Sequence, residues 1–250
     1  MSDMTNRVVL YTGAAGGLGL HGTIELLKRG ATVIALDNDL KKIEELNDSA
    51  ANLGGKLKTI KVDLTDVQSL RTNVKNSIAE FGKIDTIINN AAIYPSKPFE
   101  EYSLEEYSLV QKVNVESAVI CVQEVFPSMK ANSFGRIVNI TSVTFSGQWS
   151  NLSPYVASKG TLMGLARTWA REFGKYGITS NCLAPGAFPT DAEKIHPNPE
   201  EYTKWIFDHQ AVKRRGHPLD VANCLLFLIS EESGFITGQT INVDGGWVMN

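Results

Sequence analysis

Hydrophobic and polar positions follow two different periods along most of the chain. Short apolar, β-branched runs predict seven strands, at Arg7–Thr12, Thr32–Asp37, Leu57–Val62, Ile84–Asn89, Gly135–Thr141, Ile178–Ala184 and Gln239–Val243. Longer segments with helical spacing predict helices at Gly17–Arg29, Leu40–Leu53, Asp66–Phe81, Leu104–Met129, Pro154–Lys175 and Pro218–Ser230. This alternation is typical of βαβ units. We therefore predict an α/β, doubly wound fold, in which a seven-stranded parallel sheet carries helices on both faces.

Capping residues mark the starts of three predicted helices. Thr65-x-x-Gln68 and Ser103-x-x-Glu106 match the capping-box pattern, and Ser153-Pro154 places an N-cap serine before a proline in the first turn. We expect a helix to begin directly after each of these capping residues.

The stretch after the sixth predicted strand is the least regular part of the chain. Prolines 185, 189, 197 and 199 punctuate it, and a short helix is predicted at Glu200–Gln210. A long irregular loop inside a compact domain is usually functional. We therefore predict that this stretch is functional, within a single domain that spans residues 1–250.

Composition narrows the classes of protein that this chain can represent. The 250 residues include 24 Lys and Arg against 27 Asp and Glu, without the basic excess that phosphate-backbone binding shows. No apolar run approaches the length of a membrane span or a signal peptide. We expect a cytoplasmic protein with neither a nucleic-acid nor a membrane partner.

The three cysteines do not indicate a disulfide or a metal site. Cys121, Cys182 and Cys224 are widely spaced in apolar surroundings, with no C-x-x-C pair and no histidine at ligand spacing. We expect reduced core residues and no metal.

A glycine-rich turn joins the first strand to the first helix, in the sequence Thr12-Gly13-Ala14-Ala15-Gly16-Gly17-Leu18-Gly19. Glycine permits the tight turn and lets backbone N–H groups approach a pyrophosphate at the positive end of the helix. This placement favours a dinucleotide-binding turn of the Rossmann type over an ordinary glycine-rich turn.

The second predicted strand ends in Asp37. A carboxylate at this position accepts hydrogen bonds from the adenosine ribose and repels a 2′-phosphate. The turn residues Ala14–Gly16 include no Lys or Arg that would neutralise such a phosphate. These features favour NAD over NADP, although Asp37 alone could also simply start a turn with Asn38 and Asp39.

Four polar residues form a candidate catalytic set. Tyr155 and Lys159 are four residues apart on one predicted helix face, Ser142 follows the fifth strand, and Asn114 lies on the preceding helix. A Tyr and a Lys at this spacing are weak evidence by themselves. The presence of Ser142 and Asn114 as well makes the pair a candidate catalytic set.

The chain resembles the short-chain dehydrogenase/reductase family over essentially its whole length. The shared landmarks are Thr12-Gly13-x-x-x-Gly17-x-Gly19, Asp63, Asn89-Asn90-Ala91, Asn114, Ser142, Tyr155-x-x-x-Lys159, Asn181-x-x-x-Pro185-Gly186 and Val243-Asp244-Gly245-Gly246. Ala92 departs from the family, which usually has glycine there, and this side chain should narrow the approach to the nicotinamide ribose.

The resemblance implies an NAD-binding oxidoreductase that assembles as a homotetramer. In such an enzyme Lys159 holds the nicotinamide ribose and Asn114 supports a water relay. The resemblance also implies that the stretch at about residues 186–212 is a substrate lid, whose Phe188 backbone and Thr190 contact the carboxamide. The residues expected to bind the cofactor are Gly13, Gly16, Gly17, Leu18, Gly19, Asp37, Asp63, Leu64, Asn90, Ala91, Tyr155, Lys159, Phe188 and Thr190.

The catalytic chemistry follows from the residue types. A free phenol has a pKa of about 10, and a nearby ammonium together with a positive nicotinamide ring would favour phenolate. Tyr155 then acts as general base in alcohol oxidation and as general acid in carbonyl reduction. Ser142 would bind the substrate oxygen as charge develops on it.

The expected substrate pocket is apolar and aromatic. Its predicted residues are Tyr94, Ser142, Phe145, Trp149, Tyr155, Phe188 and Trp205. Such a wall favours a cyclic or aryl secondary alcohol. Lys97, Gln148 and His196 leave open a sugar or polyol dehydrogenase, and the family also includes 3-oxoacyl-type reductases.

Two hypotheses for a protein that is not an enzyme also remain open, namely a nucleotide-sensing regulatory protein and a scaffold subunit. A regulatory protein does not need the four polar residues together, which favours the enzyme. The tail carries the apolar residues Ile241, Val243, Trp247, Val248 and Met249, and this supports burial of the tail in an oligomer.

Overall fold

Seven parallel strands form one sheet in the order β3-β2-β1-β4-β5-β6-β7. The computed structural model describes residues 3–190, 193 and 198–249. The strands are β1 Val8–Thr12, β2 Thr32–Asp37, β3 Lys56–Lys61, β4 Thr86–Asn89, β5 Gly135–Ile140, β6 Ile178–Pro185 and β7 Thr240–Val243. All seven predicted strands are present, so the α/β doubly wound prediction is confirmed.

The helices lie between the strands in the predicted order. They are α1 Gly17–Lys28, α2 Leu40–Ala50, α3 Val67–Phe81, α4 Leu104–Gln111, α5 Ser117–Ala131, α6 Ser153–Phe173, α7 Pro199–His209 and α8 Pro218–Ile229. One prediction needs correction, because the expected single helix Leu104–Met129 is divided into α4 and α5 by a π-helical turn at Lys112–Glu116.

Two hydrophobic clusters cover opposite faces of the sheet. Successive residues of β1 belong to alternate clusters, with Val9 and Tyr11 in the first and Leu10 in the second. Side chains of α1 and α8 belong to the first cluster, and side chains of α3 and α5 to the second. Burial on both faces explains why the central strands read as continuous apolar runs.

The predicted helix starts are partly correct. Ser103 and Glu106 form the expected capping box at α4. The prediction at Thr65 is wrong, because its hydroxyl donates to Asp63 at 2.8 Å and Asp66 caps α3 instead. Ser153 is already the first residue of α6, which has no side-chain cap.

The sheet order reverses direction between β1 and β4, which pair in parallel. Loops that leave adjacent strands on opposite sides open a crevice at this point, beyond the carboxyl ends of the strands. The glycine turn follows β1, and the loop that begins at Asn90 follows β4. The fold therefore places the candidate cofactor and catalytic segments at one edge of the sheet.

Within the described ranges, no helix is both long and apolar enough to cross a membrane. The same residues contain no cluster of three or more His, Cys, Asp or Glu side chains suited to a metal ion. The three cysteines are free thiols, and Cys121 and Cys182 are buried as expected.

Candidate active site

A cleft of about 850 Å³ opens at the carboxyl edge of the sheet. Most of its walls come from the loops after β1, β2, β3, β4, β5 and β6, together with residues of α1, α2, α6 and α7. It brings together most of the residues predicted for cofactor and substrate, namely Gly13, Gly16, Gly17, Leu18, Asp37, Asp63, Leu64, Asn90, Ala91, Tyr94, Ser142, Trp149, Tyr155, Lys159, Phe188, Thr190 and Trp205. Three predicted residues, Gly19, Asn114 and Phe145, do not line it.

The glycine turn is shaped by close backbone packing. Gly13 has φ +62°, and a Cβ there would lie 2.9 Å from the Ala91 Cα. A Cβ at Gly19 would lie 2.0 Å from the Gly13 carbonyl oxygen, so Gly19 allows α1 to pack on the turn rather than touching a ligand. Asn90 Nδ2 donates to the Gly13 oxygen at 2.8 Å and ties the turn to the loop after β4.

The amino end of α1 fits the pyrophosphate of a dinucleotide. Gly16 caps the helix and Gly17, with φ +51°, begins it. A Cβ on Gly17 would meet nothing closer than Thr190 at 3.7 Å, so this part of the turn leaves its backbone open to the cleft. Unpaired N–H groups and the helix dipole favour an anion at such an end.

Asp37 lies in the cleft, and its carboxylate accepts three backbone hydrogen bonds. Oδ2 accepts from Ala15 N at 3.0 Å, while Oδ1 accepts from Asn38 N at 2.9 Å and Asp39 N at 3.2 Å. Asp37 therefore starts a turn, as one of the two sequence-based interpretations expected, and its role toward an adenosine ribose stays a prediction. Asp63 lines the cleft in the loop after β3. Its carboxylate accepts hydrogen bonds from Thr65 N and Oγ1, and these bonds lower the pKa of the carboxyl group.

Lys42 is a cleft residue that the sequence did not single out. It belongs to α2, and its side chain lies across the glycine turn. A Cβ built on Gly16 would lie 3.1 Å from the Lys42 Cδ and 3.3 Å from its Nζ. The two positions are far apart in the sequence, and this contact depends on the packing of α2 beside α1.

Ser142, Tyr155 and Lys159 meet at the centre of the cleft. Ser142 follows β5 at the start of a 3₁₀ turn, where its Oγ accepts from Thr144 N at 3.2 Å, and it also hydrogen-bonds Tyr155. Lys159 lies one turn beyond Tyr155 on α6. Its Nζ donates to the Ile140 oxygen at 2.7 Å and lies 5.3 Å from the Tyr155 ring centroid.

Burial dominates the titration of this pair. Desolvation raises the pKa of Tyr155 to about 12, although the hydrogen bond from Ser142 opposes the shift. Desolvation also lowers the pKa of Lys159 to about 8. Desolvation therefore outweighs the hydrogen bond from Ser142 in setting the Tyr155 pKa. The expectation that Lys159 and a nicotinamide ring together favour the phenolate stays a prediction.

Asn114 acts through its neighbours rather than by facing the cleft. Its Oδ1 accepts from Ile93 N at 2.9 Å, and its Nδ2 donates to the Ile93 oxygen and to Ser158 Oγ, both at 3.0 Å. The π-helical turn at Lys112–Glu116 carries it there. The side chain thus fastens the loop after β4 to α6 beside Lys159.

Aromatic side chains form the outer wall of the cleft. The Tyr94 ring meets the Tyr155 ring edge to face at 6.0 Å. Trp149, Tyr202 and Trp205 lie farther out, and Tyr202 stacks on Trp205 at 5.8 Å. Tyr202 belongs to α7 and was not predicted from the sequence.

Trp247 in the carboxyl-terminal tail packs against this wall on the side away from the cleft. Its ring centroid lies 5.1 Å from Trp149 and 4.9 Å from Trp205, and its Nε1 donates to Gln148 Oε1 at 2.7 Å. Only 7% of Trp247 is exposed. The assignment of Trp247 to an apolar oligomer surface is wrong, because the residue is already covered within one chain.

Two predicted substrate residues point elsewhere. Phe145 is 53% exposed, and its ring lies over Gly160, because the 3₁₀ turn Val143–Ser146 directs Val143 inward instead. Phe188 has its ring buried against Gly216, so it faces the core although the residue borders the cleft.

The residues considered for a sugar substrate have separate outcomes. Lys97 forms an ion pair with Glu106 at 2.7 Å outside the cleft. Gln148 borders the cleft and bonds Trp247. His196 lies outside the described residues.

We define the substrate end of the cleft by ten described residues, which are Tyr94, Ser96, Gln148, Trp149, Ser150, Asn151, Leu152, Glu193, Tyr202 and Trp205. Glu193 is the one charged residue among these ten. Arg215 hydrogen-bonds to Glu193 and donates to Thr203 Oγ1 at 3.1 Å. Burial raises the pKa of Glu193 despite this partner.

Comparison with known proteins identifies the family. The family model described as Enoyl-(Acyl carrier protein) reductase matches residues 13–248. The chain belongs to the short-chain dehydrogenase/reductase family. The (2S)-[(R)-hydroxy(phenyl)methyl]succinyl-CoA dehydrogenase subunit BbsD of Thauera aromatica is 34% identical, with 96% of each chain covered. Gluconate 5-dehydrogenase of Gluconobacter oxydans is 32% identical, over 98% of this chain and 95% of the relative.

A solved structure agrees with this assignment. The crystal structure of levodione reductase superposes with a TM-score of 0.90 at 28% identity, covering 97% of both chains. The protein is thus an oxidoreductase of a family that acts on CH–OH groups and typically uses a nicotinamide cofactor.

Proposed function

We propose that this short-chain dehydrogenase/reductase interconverts a secondary alcohol and its ketone with NAD, and that Tyr155 is the acid/base. One observation carries the proposal. Tyr155 lines the same cleft as the glycine turn and the aromatic wall, its phenol hydrogen-bonds to Ser142, and its ring centroid lies 5.3 Å from the Lys159 Nζ.

The glycine turn and Asp37 would hold the cofactor. The open backbone at Gly17 suits the pyrophosphate, and the Asp37 carboxylate suits the adenosine ribose. When bound, NAD supplies the hydride acceptor, and its reduced form the hydride donor. Thr190, which lies against Gly17, would contact the nicotinamide end.

The chain's own residues perform the proton chemistry. Ser142 donates a hydrogen bond to the substrate oxygen, and Tyr155 removes or returns the proton on that oxygen. Lys159 favours the phenolate that this transfer requires, because its ammonium lies close to the ring. Asn114 and Ser158 position α6, since they join it to the loop that carries Ile93.

The substrate end favours a cyclic or aryl secondary alcohol. Tyr94, Trp149, Tyr202 and Trp205 offer aromatic surface, and burying apolar area contributes roughly 25 cal/mol per Å². The name of the Thauera relative contains a hydroxy(phenyl)methyl group, which is an aryl carbinol.

A sugar or polyol dehydrogenase is the second candidate. Ser96, Gln148 and Asn151 supply hydrogen-bonding groups at the substrate end, and one relative is a gluconate 5-dehydrogenase. Aromatic faces also stack on sugars. The ten residues contain no Lys or Arg that would bind the carboxylate of a sugar acid, and Glu193, the charged residue among them, is paired with Arg215.

A substrate panel tests the proposal. Purified protein with NAD is assayed on cyclic alcohols, aryl carbinols, open-chain polyols, gluconate and hydroxyacyl thioesters, by the absorbance of reduced cofactor. We expect the highest kcat/KM with a cyclic or aryl alcohol, and faster turnover with NAD than with NADP at equal low concentration. Turnover of sugars or polyols alone would overturn the substrate assignment, and absence of turnover across the panel would overturn the reaction.

A further inference from the structure

The loop that carries Trp149 contains two left-handed residues that are not glycine. We call residues 147–152, between the 3₁₀ turn after β5 and the start of α6, the substrate loop, because residues 148 to 152 line the cleft. Gln148 has φ +77° and Asn151 has φ +65°. Asparagine tolerates this region better than glutamine does, but for both residues it is a sparsely populated conformation. Contacts from outside the loop must therefore hold this shape.

Each of these two residues is bonded to a distant segment of the chain. At Gln148 the side-chain oxygen accepts from Trp247 Nε1 at 2.7 Å. At Asn151 the backbone oxygen accepts from Lys97 N at 3.0 Å and from the Tyr102 hydroxyl at 2.9 Å. The two cleft residues that lie between these positions are therefore held from both sides.

The segment that bonds Asn151 is itself tied to α4. The Tyr102 hydroxyl also donates to the Pro95 oxygen at 2.7 Å, so it joins the two ends of this segment. Lys97 Nζ lies 2.7 Å from both carboxylate oxygens of Glu106, and this carboxylate is part of the capping box of α4. The Tyr102 hydroxyl thus connects the substrate loop to a segment that is fixed at a helix end.

We propose that Tyr102 is a positioning residue that sets substrate specificity, because its hydroxyl holds the substrate loop where Trp149 contacts the substrate. Tyr102 does not line the cleft, so it acts through the loop. Without the hydroxyl, the Asn151 oxygen keeps one of its two donors, and the backbone can move toward more populated conformations. The inference rests on the proposed function, since it places Trp149 against the substrate of that reaction.

Steady-state kinetics of Tyr102→Phe, which removes only the hydroxyl, test the proposal. For the best cyclic or aryl alcohol of the panel we expect KM to rise about fivefold, with kcat within about twofold and the calorimetric affinity for NAD unchanged. For 2-propanol, which has little surface to pack on Trp149, KM should change by less than about twofold. Tyr107→Phe, on α4 and outside the cleft, is the matched control and should behave as the wild type.

Two substitutions at Asn151 test whether the hydroxyl acts through the backbone of the loop. Asn151→Gly and Asn151→Ala remove the same amide from the cleft and keep the carbonyl that Tyr102 bonds, but glycine adopts φ +65° freely and alanine does not. Adding Tyr102→Phe should therefore raise KM by less than about twofold beside Asn151→Gly and by more than about fivefold beside Asn151→Ala. A general loss of stability would give equal effects in the two backgrounds.

Hydrogen exchange followed by mass spectrometry tests the contact without turnover. We expect peptides that cover residues 95–102 and 147–152 to exchange about tenfold faster in Tyr102→Phe, while peptides of β1 keep the wild-type rate. Unchanged exchange in these two segments, or an equal effect of Tyr102→Phe on KM in the two Asn151 backgrounds, would overturn the proposal. Absence of turnover across the panel would overturn the proposed function instead, and hydrogen exchange would still decide whether Tyr102 holds the loop.

Discussion

At the scale of single residues, burial shifts the pKa values of Tyr155 and Lys159 in opposite directions, and both shifts favour the uncharged side chain. The first rises to about 12 and the second falls to about 8. A positive nicotinamide ring in the cleft would oppose the rise at Tyr155. We therefore expect alcohol oxidation to require the bound oxidised cofactor before Tyr155 can accept a proton near neutral pH.

The depressed pKa of Lys159 makes a prediction about stability. The unfolded amine titrates near 10.5, so below about pH 8 the native state carries the full cost of a buried ammonium, and this cost disappears as the pH rises toward 10.5. Lys159→Met should therefore raise the free energy of unfolding at pH 7 by on the order of 2 kcal/mol, with a smaller gain at pH 9.5. Urea unfolding at both pH values measures it.

Loss of the hydrogen bond from Lys159 to the Ile140 oxygen offsets part of this gain. Lys41→Met, at an exposed position, is the control and should show no such pH dependence. A gain that stays constant with pH, or a destabilised variant at pH 7, would contradict the account of Lys159.

At the scale of elements, α7 and the carboxyl-terminal tail share one aromatic contact. Trp205 from α7 and Trp149 from the loop before α6 both pack on Trp247. His209 at the end of α7 stacks on the same residue at 5.5 Å. The tail therefore helps to set the position of the substrate wall.

Substitution at this contact should affect substrate binding more than chemistry. Trp247→Phe keeps an aromatic ring but removes the hydrogen bond to Gln148, so we expect KM to rise several-fold with kcat within about twofold. Trp149→Ala, in the wall itself, should raise KM further and more than it lowers kcat. Phe145→Ala is the matched control outside the cleft and should leave KM unchanged.

Steady-state kinetics on the best alcohol of the panel, with calorimetric titration of NAD, measures these effects. The NAD dissociation constant should stay the same in all three variants. If Trp247→Phe instead lowers kcat several-fold and leaves KM unchanged, Trp247 does not act through the substrate wall.

The elements could be predicted because their signals are local. Alternating apolar runs and the Ser103 capping box depend on nearby residues, and all seven strands appear within two residues of their expected bounds. The site was harder where distant segments meet. Lys42 reaches Gly16 from another helix, and Trp247 reaches Trp149 from the tail. The direction of Phe145 depends on a 3₁₀ turn that periodicity does not reveal.

At the scale of the whole molecule, apolar side chains remain exposed near β7, the last strand of the chain and one of the two outer strands of the sheet. β7 is an edge strand with half-buried residues, Phe235 is fully exposed, and Met249 is 80% exposed. Although Trp247 is covered within the chain, this surface still supports the homotetramer that the family resemblance implies.

Light scattering measures the assembly. We expect a particle of four times the 27.3 kDa chain at micromolar concentration, and a smaller particle for Phe235→Asp. Val67→Asp, at an exposed apolar position on α3, is the control and should keep the wild-type mass. A monomeric wild type would contradict the prediction, and an unchanged mass for Phe235→Asp would assign the interface to another face.

The central claim, that Tyr155 is the acid/base of an NAD-dependent alcohol oxidation, is tested most directly by Tyr155→Phe. The variant keeps the ring that packs on Tyr94 and removes only the hydroxyl. On the best alcohol of the panel, with NAD saturating, we predict that kcat falls by about 10²–10⁴ while the calorimetric affinity for NAD stays within about threefold. A Tyr155→Phe protein that binds NAD and keeps near-normal kcat would contradict the account.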